Sequence, residues 1–380
     1  MTDDSPDWTD ADAFADLLDR AETREKGHYF DFFEAGQTLE HDPGLRLTQA
    51  GTDQWASQTL NHDPAYWRTD AARDRDFGEP PIHPDYLLAC VMGPSVEDCS
   101  EKGGYFLGRT DVQFHRTAYP GTEIRVRSTV ESTAVSNSRP DYGIVTWQTA
   151  GYDADTDDVL VSYERTNMVP RREPTATDGG LASDASQDSS ELRSDGGEVA
   201  DRGDDDDGPA DPTDDLPDRL IAPDGPHFEG FADALDRVAD DPTAAVTARH
   251  ERGRTMDDQL VAGLPLATLN TARQHHNRDA MADSPSGDIV AYGDVTRSVA
   301  LAHARSDEAT YREVACHDER FHDFVTLGDT IYCLTRVLDA DPAPGPSRAG
   351  EVTFEHIAFD QDRRPVYSGR RTALIDKTHQ

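Results

Sequence analysis

The chain has 380 residues, enough for two ordinary domains with buried cores. Its 36 Lys and Arg against 75 Asp and Glu give a formal charge of −39, with lysine only at Lys26, Lys102 and Lys377. Such a surface excludes a nucleic-acid binder, which needs a basic footprint, and fits a halophile's cytoplasm, where concentrated salt screens the self-repulsion.

Residues 1–25 read as an acidic N-terminal extension with one amphipathic helix around Phe14, Leu17 and Leu18. A first unit spans 26–172. Residues 173–225 hold almost nothing but Asp, Gly, Ser, Pro and Ala with a few charged residues, including the run Asp204–Asp207. Too little apolar area is available there to offset chain entropy, so a disordered acidic linker is expected. A second unit spans 226–380. No apolar run approaches membrane length and the acidic N-terminus lacks a signal-peptide pattern, so a soluble cytoplasmic protein without membrane partners is expected. Cys90, Cys99, Cys316 and Cys333 have no Cys-x-x-Cys spacing and read as small buried residues; no ligand cluster points to a metal.

The two units repeat each other at an offset of 207 positions, from Phe114-His115 to Phe321-His322. Gly121, Ile124 and Val130 answer to Gly328, Ile331 and Val337; Gly143, Trp147 and Val159 answer to Gly350, Phe354 and Val366. In each unit a helical stretch (Thr52–Leu60; Met256–Asn270) precedes an apolar helix (Asp85–Val91; Asp294–Ala304) and then strands of alternating pattern. That order predicts an α+β fold, one antiparallel sheet wrapped on one helix, used twice.

The segments FHRTAYPGTEI and FHDFVTLGDTI, with the opening KGHYFDFFEAGQTLEH, resemble the hot-dog fold and, more narrowly, the MaoC-like dehydratases. LNTARQHHNRDAM and GDIVAYGDVTRSVALA in the second unit are similar to the active-site segment and central helix of haloarchaeal-type double hot-dog mesaconyl-CoA (2-methylfumaryl-CoA) hydratases. The resemblance implies a tandem hot-dog fold and a hydro-lyase on a CoA thioester. It also implies a methylaspartate-type carbon-assimilation route, an acyl-CoA substrate and no cofactor. It leaves a homodimer of such chains open. Three other readings are a broad R-specific enoyl-CoA hydratase, a non-catalytic acyl-CoA-binding protein and a thioesterase.

The family motif is Asp-x4-His followed by a glycine at the start of the central helix. Its His falls on His275, its Asp on Asn270 and its Gly on Gly293. Asn270 cannot take a proton, so the implied role is to hold a water. Gly293 N–H, at a helix N-terminus, would receive the negative charge that develops on the thioester oxygen. An imidazole at His275 suits the proton transfers. Asp279, Asp257 and Asp258 are candidates for the missing carboxylate; His276, Asp279, Tyr292 and Arg297 are candidate substrate contacts, and Arg273, Arg278 and Arg297 candidate phosphate ligands. Each residue also has a plain reading: interior histidine, helix-end asparagine, helix-start glycine.

The duplication is an internal control. Aligning the units puts Tyr66 opposite His275 and Pro84, which has no N–H, opposite Gly293. The second unit is therefore expected to carry the chemistry, although NHDPAY (Asn61–Tyr66) also resembles the motif with one residue fewer. His115 and His322 occur in both units and read as architecture.

Overall fold

The structure, a computed structural model, describes residues 9–172, 216–343 and 345–378. Most of the expected linker, Asp204–Asp207 included, lies outside the described residues. In chain order the first copy contains α1 (Ala11–Arg20), β1 (Thr38–Arg46), α2 (Gln49–Gln58), α3 (Thr69–Asp74), α4 (Pro84–Cys99), β2 (Tyr105–Phe114), β3 (Glu123–Val135), β4 (Tyr142–Asp153) and β5 (Val159–Pro170). The second holds β6 (Arg219–Ile221), α5 (Phe228–Asp236), β7 (Ala244–Arg249), β8 (Arg254–Thr255), α6 (Leu264–Ala267) and α7 (Arg278–Met281). It continues with α8 (Gly293–Arg305), β9 (Thr310–Phe321), β10 (Thr330–Asp341), β11 (Ala349–Phe359) and β12 (Pro365–Asp376). The expected linker ends early: β6 pairs in parallel with β7, with Leu220 opposite Ala245. Asp10 caps α1 through Ala13 N–H, and no residue of that helix is buried.

Among the described residues one sheet runs β1-β3-β4-β5-β2-β9-β12-β11-β10-β7-β6. The order inside each copy is therefore the same, and β2 joins β9 in the middle, where Arg109 faces Glu319 and Val112 faces Cys316. The alternating pattern of β3 buries Ile124, Val126, Ser128 and Val130 on one face. Strand register refines the repeat. Trp147 pairs with Arg165, and Phe354, at offset 207, pairs with Arg371. In the last strand the equivalence is therefore Arg165 to Arg371, an offset of 206.

The central helices α4 and α8 lie against this sheet, and Leu88, Val91, Val295 and Val299 belong to one apolar core shared by both copies. Full burial of each such side chain contributes on the order of 1.5–3 kcal/mol. The sequence pattern places this helix at Asp85–Val91, yet α4 runs through Gly93-Pro94 to Cys99. Packing overrides propensity there: a Cβ on Gly93 would stand 1.8 Å from the Thr268 carbonyl oxygen, so only glycine lets α4 press against the second copy. In the reverse direction Trp55 Nε1 donates to Ser298 Oγ on α8 at 3.1 Å.

A buried chain of ion pairs crosses the same interface. Arg109 meets Asp294 (2.6 Å) and Glu319 (2.7 Å); Arg297 meets Glu319 and Asp85 (2.5 Å). Arg305 meets Asp85 (2.5 Å) and Glu313 (2.8 Å), and Arg371 meets Glu313 (2.8 Å) and Glu308 (2.7 Å). Arginine pairing holds the Glu313 and Glu319 carboxyls down at about 2, although burial opposes it.

Candidate active site

The segment after α6 turns sharply at Leu269, a left-handed residue with φ of 63°; Leu60 holds the matching place in the first copy with φ of 64°. A left-handed leucine costs on the order of 1–3 kcal/mol, and both copies sustain it. It delivers Asn270, whose Oδ1 accepts from Ala272 N–H at 3.1 Å and leads the chain into the 3₁₀ turn Arg273–His275. The carbonyl face of Asn270 is thus used by the backbone, and only its NH2 group remains to hold a water.

His275 is buried, and its Nδ1 lies 2.8 Å from the Val290 carbonyl oxygen. A carbonyl only accepts, so Nδ1 carries the proton and Nε2 is the free acceptor. Burial pushes the imidazole down to about 4, against the opposing pull of the Val290 carbonyl. The ring is neutral near pH 7.

Gly293 opens α8 with no side-chain cap at Tyr292, and no acceptor among the described residues takes its N–H. A Cβ there would stand 2.8 Å from Cζ of Phe321, so the ring seated on the helix start admits only glycine. Next to it, Asp294 is anchored by Arg109 through Oδ1 while its Oδ2 and the Tyr292 hydroxyl lack partners. Burial, and then the Asp294 charge, hold the Tyr292 phenol well above its ordinary range.

Asn270, His275, Tyr292, Gly293, Asp294 and Phe321 all line one cavity of about 1720 Å³. The first copy closes it with Met92, Phe106, Arg165 and Asn167. Asp294, Phe321, Arg165 and Asn167 escaped the sequence reading. An acid one residue after the helix-start glycine was a legible signal for Asp294; the others are joined to the site only by tertiary packing.

Other sequence candidates lie elsewhere. Arg297 is fully buried, held by Glu319, Asp85 and the Cys316 sulfur (3.0 Å), and does not line the cavity; it is a strut between the copies. His276 is exposed and bonds the Thr271 carbonyl at 3.0 Å. Asp279 is exposed in the first turn of α7. Asp257 pairs with Arg254 (2.8 Å), and Asp258 lies 3.7 Å from Arg278, which in turn bonds Asp288 at 3.0 Å. None of these lines the cavity, so the missing carboxylate is not supplied by Asp257, Asp258 or Asp279. Arg273 does line it, as do Arg139, Arg320 and Arg363.

The first copy's counterpart lacks both groups. Tyr66 ends its own 3₁₀ turn where His275 ends the other, and packs on the buried His83 ring at 4.6 Å. Pro84 opens α4 and offers no N–H, and His83 Nδ1 accepts from Asp85 N–H at 3.2 Å. In the NHDPAY run Asp63 is committed to Arg75 at 2.5 Å.

The four cysteines are buried free thiols. No helix among the described residues is long and apolar enough to cross a membrane, and no cluster of metal-ligating side chains occurs among them.

Over 94% of this chain and 100% of the other, the fold matches a MaoC domain protein dehydratase of Chloroflexus aurantiacus with TM-score 0.73 at 20% identity. A double hot-dog protein of Mycobacterium tuberculosis matches with TM-score 0.66 at 21% identity, over 92% of this chain and 98% of that one. These likenesses show the tandem hot-dog fold. A mesaconyl-CoA hydratase of Haloarcula marismortui is 66% identical over 374 residues, 98% of each chain. That of Haloarcula hispanica is 64% identical over 379 residues, 98% of this chain and 99% of its own. The mesaconyl-CoA hydratase family profile matches residues 7–377, and the chain belongs to that family.

Proposed function

We propose that this protein is a hydro-lyase that reversibly adds water to mesaconyl-CoA, giving β-methylmalyl-CoA in a methylaspartate-type route. One observation carries the reading: in a chain of this family, the free ring nitrogen of His275 and the unengaged N–H of Gly293 line the same cavity. A base and an oxyanion donor are the two groups that hydration of an enoyl thioester requires.

The water is held by the Asn270 amide NH2 and gives a proton to His275 Nε2. Its oxygen bonds to the β-carbon, and the electron pair of the double bond moves onto the thioester as an enolate. The Gly293 N–H and the α8 dipole meet that charge. The imidazolium then returns its proton to the α-carbon, so the imidazole is regenerated. A histidine held at about 4 is a weak base, but it is fully in the base form at neutral pH.

The CoA phosphates need cations at the cavity rim. Arg273, Arg320 and Arg363 are exposed, line the cavity, and have no ion pair among the described residues. In a chain of −39 charge such unpaired arginines are the best candidates.

The test is steady-state hydration of mesaconyl-CoA and crotonyl-CoA by the wild type and His275→Ala. Turnover of mesaconyl-CoA that is lost in His275→Ala is expected. Activity on crotonyl-CoA alone would replace this substrate, and wild-type rates in His275→Ala would remove this site.

A further inference from the structure

The strand register supplies a comparison that the primary sequence conceals. Arg165 on β5 and Arg371 on β12 occupy the same place in the two copies. Each is paired with an aromatic residue on the neighbouring strand, Trp147 or Phe354. Each also lies over that ring, at 5.1 Å and 5.3 Å. On the other side, Arg165 pairs with Arg109 and Arg371 with Cys316, again at matching positions.

Their surroundings differ in one respect. Arg371 is clamped by Glu313 and Glu308. At the position of Glu313 the first copy has Phe106, and Arg165 meets no carboxylate among the described residues. Its NH1 reaches the Met92 sulfur at 2.9 Å and its NH2 the Ser95 carbonyl at 3.4 Å, the Cys99 thiol is a further neighbour, and Nε has no acceptor. A thioether is a weak acceptor for the guanidinium of an arginine that is 1% exposed. Burying a cation without a counter-charge is costly, so the group is expected to meet an anion in the working state.

The anion would arrive through the cavity. Arg165 lines it, with Asn167 two residues along the same face of β5, whose Oδ1 is also without a partner. A chain of contacts joins this pole to the reacting end: Tyr163 shares the Met92 sulfur with Arg165, Arg109 lies 5.4 Å from the Tyr163 ring, and Arg109 holds Asp294 beside Gly293. In mesaconyl-CoA the free carboxylate sits on the β-carbon, on the far side of the double bond from the thioester.

We propose that Arg165 binds the free carboxylate of the substrate and so sets the preference for a dicarboxylic acyl group over a plain enoyl chain. The assignment presupposes the mesaconyl-CoA reading. A competing neighbour is the Cys99 thiol. Burial pushes it up, but Arg165 and His41 bring it below its ordinary value. A thiolate there would be a second partner of the guanidinium.

The experiment compares mesaconyl-CoA with (E)-2-methylbut-2-enoyl-CoA, in which a methyl replaces the carboxylate, in the wild type, Arg165→Met and Arg165→Lys. The methyl analogue is read by turnover or by competitive inhibition. In Arg165→Met, kcat/KM for mesaconyl-CoA is expected to fall about 10²-fold or more, while handling of the analogue stays within a few-fold. Arg165→Lys keeps the charge without the two-pronged fork, so its mesaconyl-CoA KM rises and its analogue constants hold. It serves as the test if the Met variant does not fold. Equal losses on both thioesters, or an unchanged mesaconyl-CoA value, overturn the assignment. A wild type that does not hydrate mesaconyl-CoA overturns the function instead, and that outcome is read before any variant is made.

Discussion

His275 and Val290 are tied together from both directions: the His275 ring lies 2.8 Å from the Val290 carbonyl oxygen, and Val290 N–H donates to Gln274 next to the histidine at 2.9 Å. This clamp fixes the tautomer and aims Nε2. It also fixes a pH dependence, because the imidazole is held at about 4 rather than its ordinary 6.5. The acid limb of kcat/KM is therefore expected well below pH 6.5, toward 4. A limb near 6.5 would mean that a different, exposed group is the base.

Stability follows the same sign. His275, His83 and His303 are each lowered by burial to about 4. The unfolded chain binds protons at these groups before the folded one does. Their contribution is complete above about 6.5 and is lost as the pH falls from there toward 4. Urea unfolding at fixed high salt should show stability dropping across that window. Glu313 and Glu319, held at about 2, add their own loss only below their ordinary 4.5.

Residue 293 separates two roles of glycine. Gly293→Ala keeps the N–H but adds a Cβ 2.8 Å from the Phe321 ring, so it should destabilise by about 1–3 kcal/mol and slow the reaction. Gly293→Pro copies Pro84 and removes the donor as well. Its rate should fall a further 10²- to 10³-fold or so below the alanine variant. Equal rates in the two variants would show that the N–H is not the oxyanion donor.

The paired arginines predict opposite stability effects. Arg371→Met leaves Glu308 without its cation and Glu313 with Arg305 alone, and should cost roughly 3–5 kcal/mol. Arg165→Met strands no carboxylate and should be near neutral or stabilising. Denaturant midpoints measured on both variants decide this, and equal destabilisation would contradict the contrast.

The net charge of −39 gives a salt prediction. Like charges repel in dilute buffer and are screened at molar salt, so the melting temperature should rise steeply with KCl. A flat dependence would show that the acidic surface adds no measurable repulsion.

Much of this was legible in the sequence because the fold is written twice. The repeat of Phe-His, Gly and Val positions marked two hot-dog units, and the missing N–H at Pro84 pointed to the second. The failures share a cause. Arg297 read as a substrate contact because it lies near Gly293 along the chain, but it sits one turn further into α8, where Glu319 and Asp85 hold it among the interior ion pairs. Asn270 read as a holder of water, and that role is left to its NH2 group alone, because its oxygen is spent on the turn it initiates. Arg165 was hidden because the last strand of each copy carries a one-residue shift in register, so alignment at a constant offset never set it beside Arg371.

The most direct measurement is a crystal structure with β-methylmalyl-CoA or mesaconyl-CoA bound. The prediction is a thioester oxygen within hydrogen-bond distance of Gly293 N and a β-carbon facing His275 Nε2. A thioester seated at the start of α4, beside Pro84 and Tyr66, would contradict it.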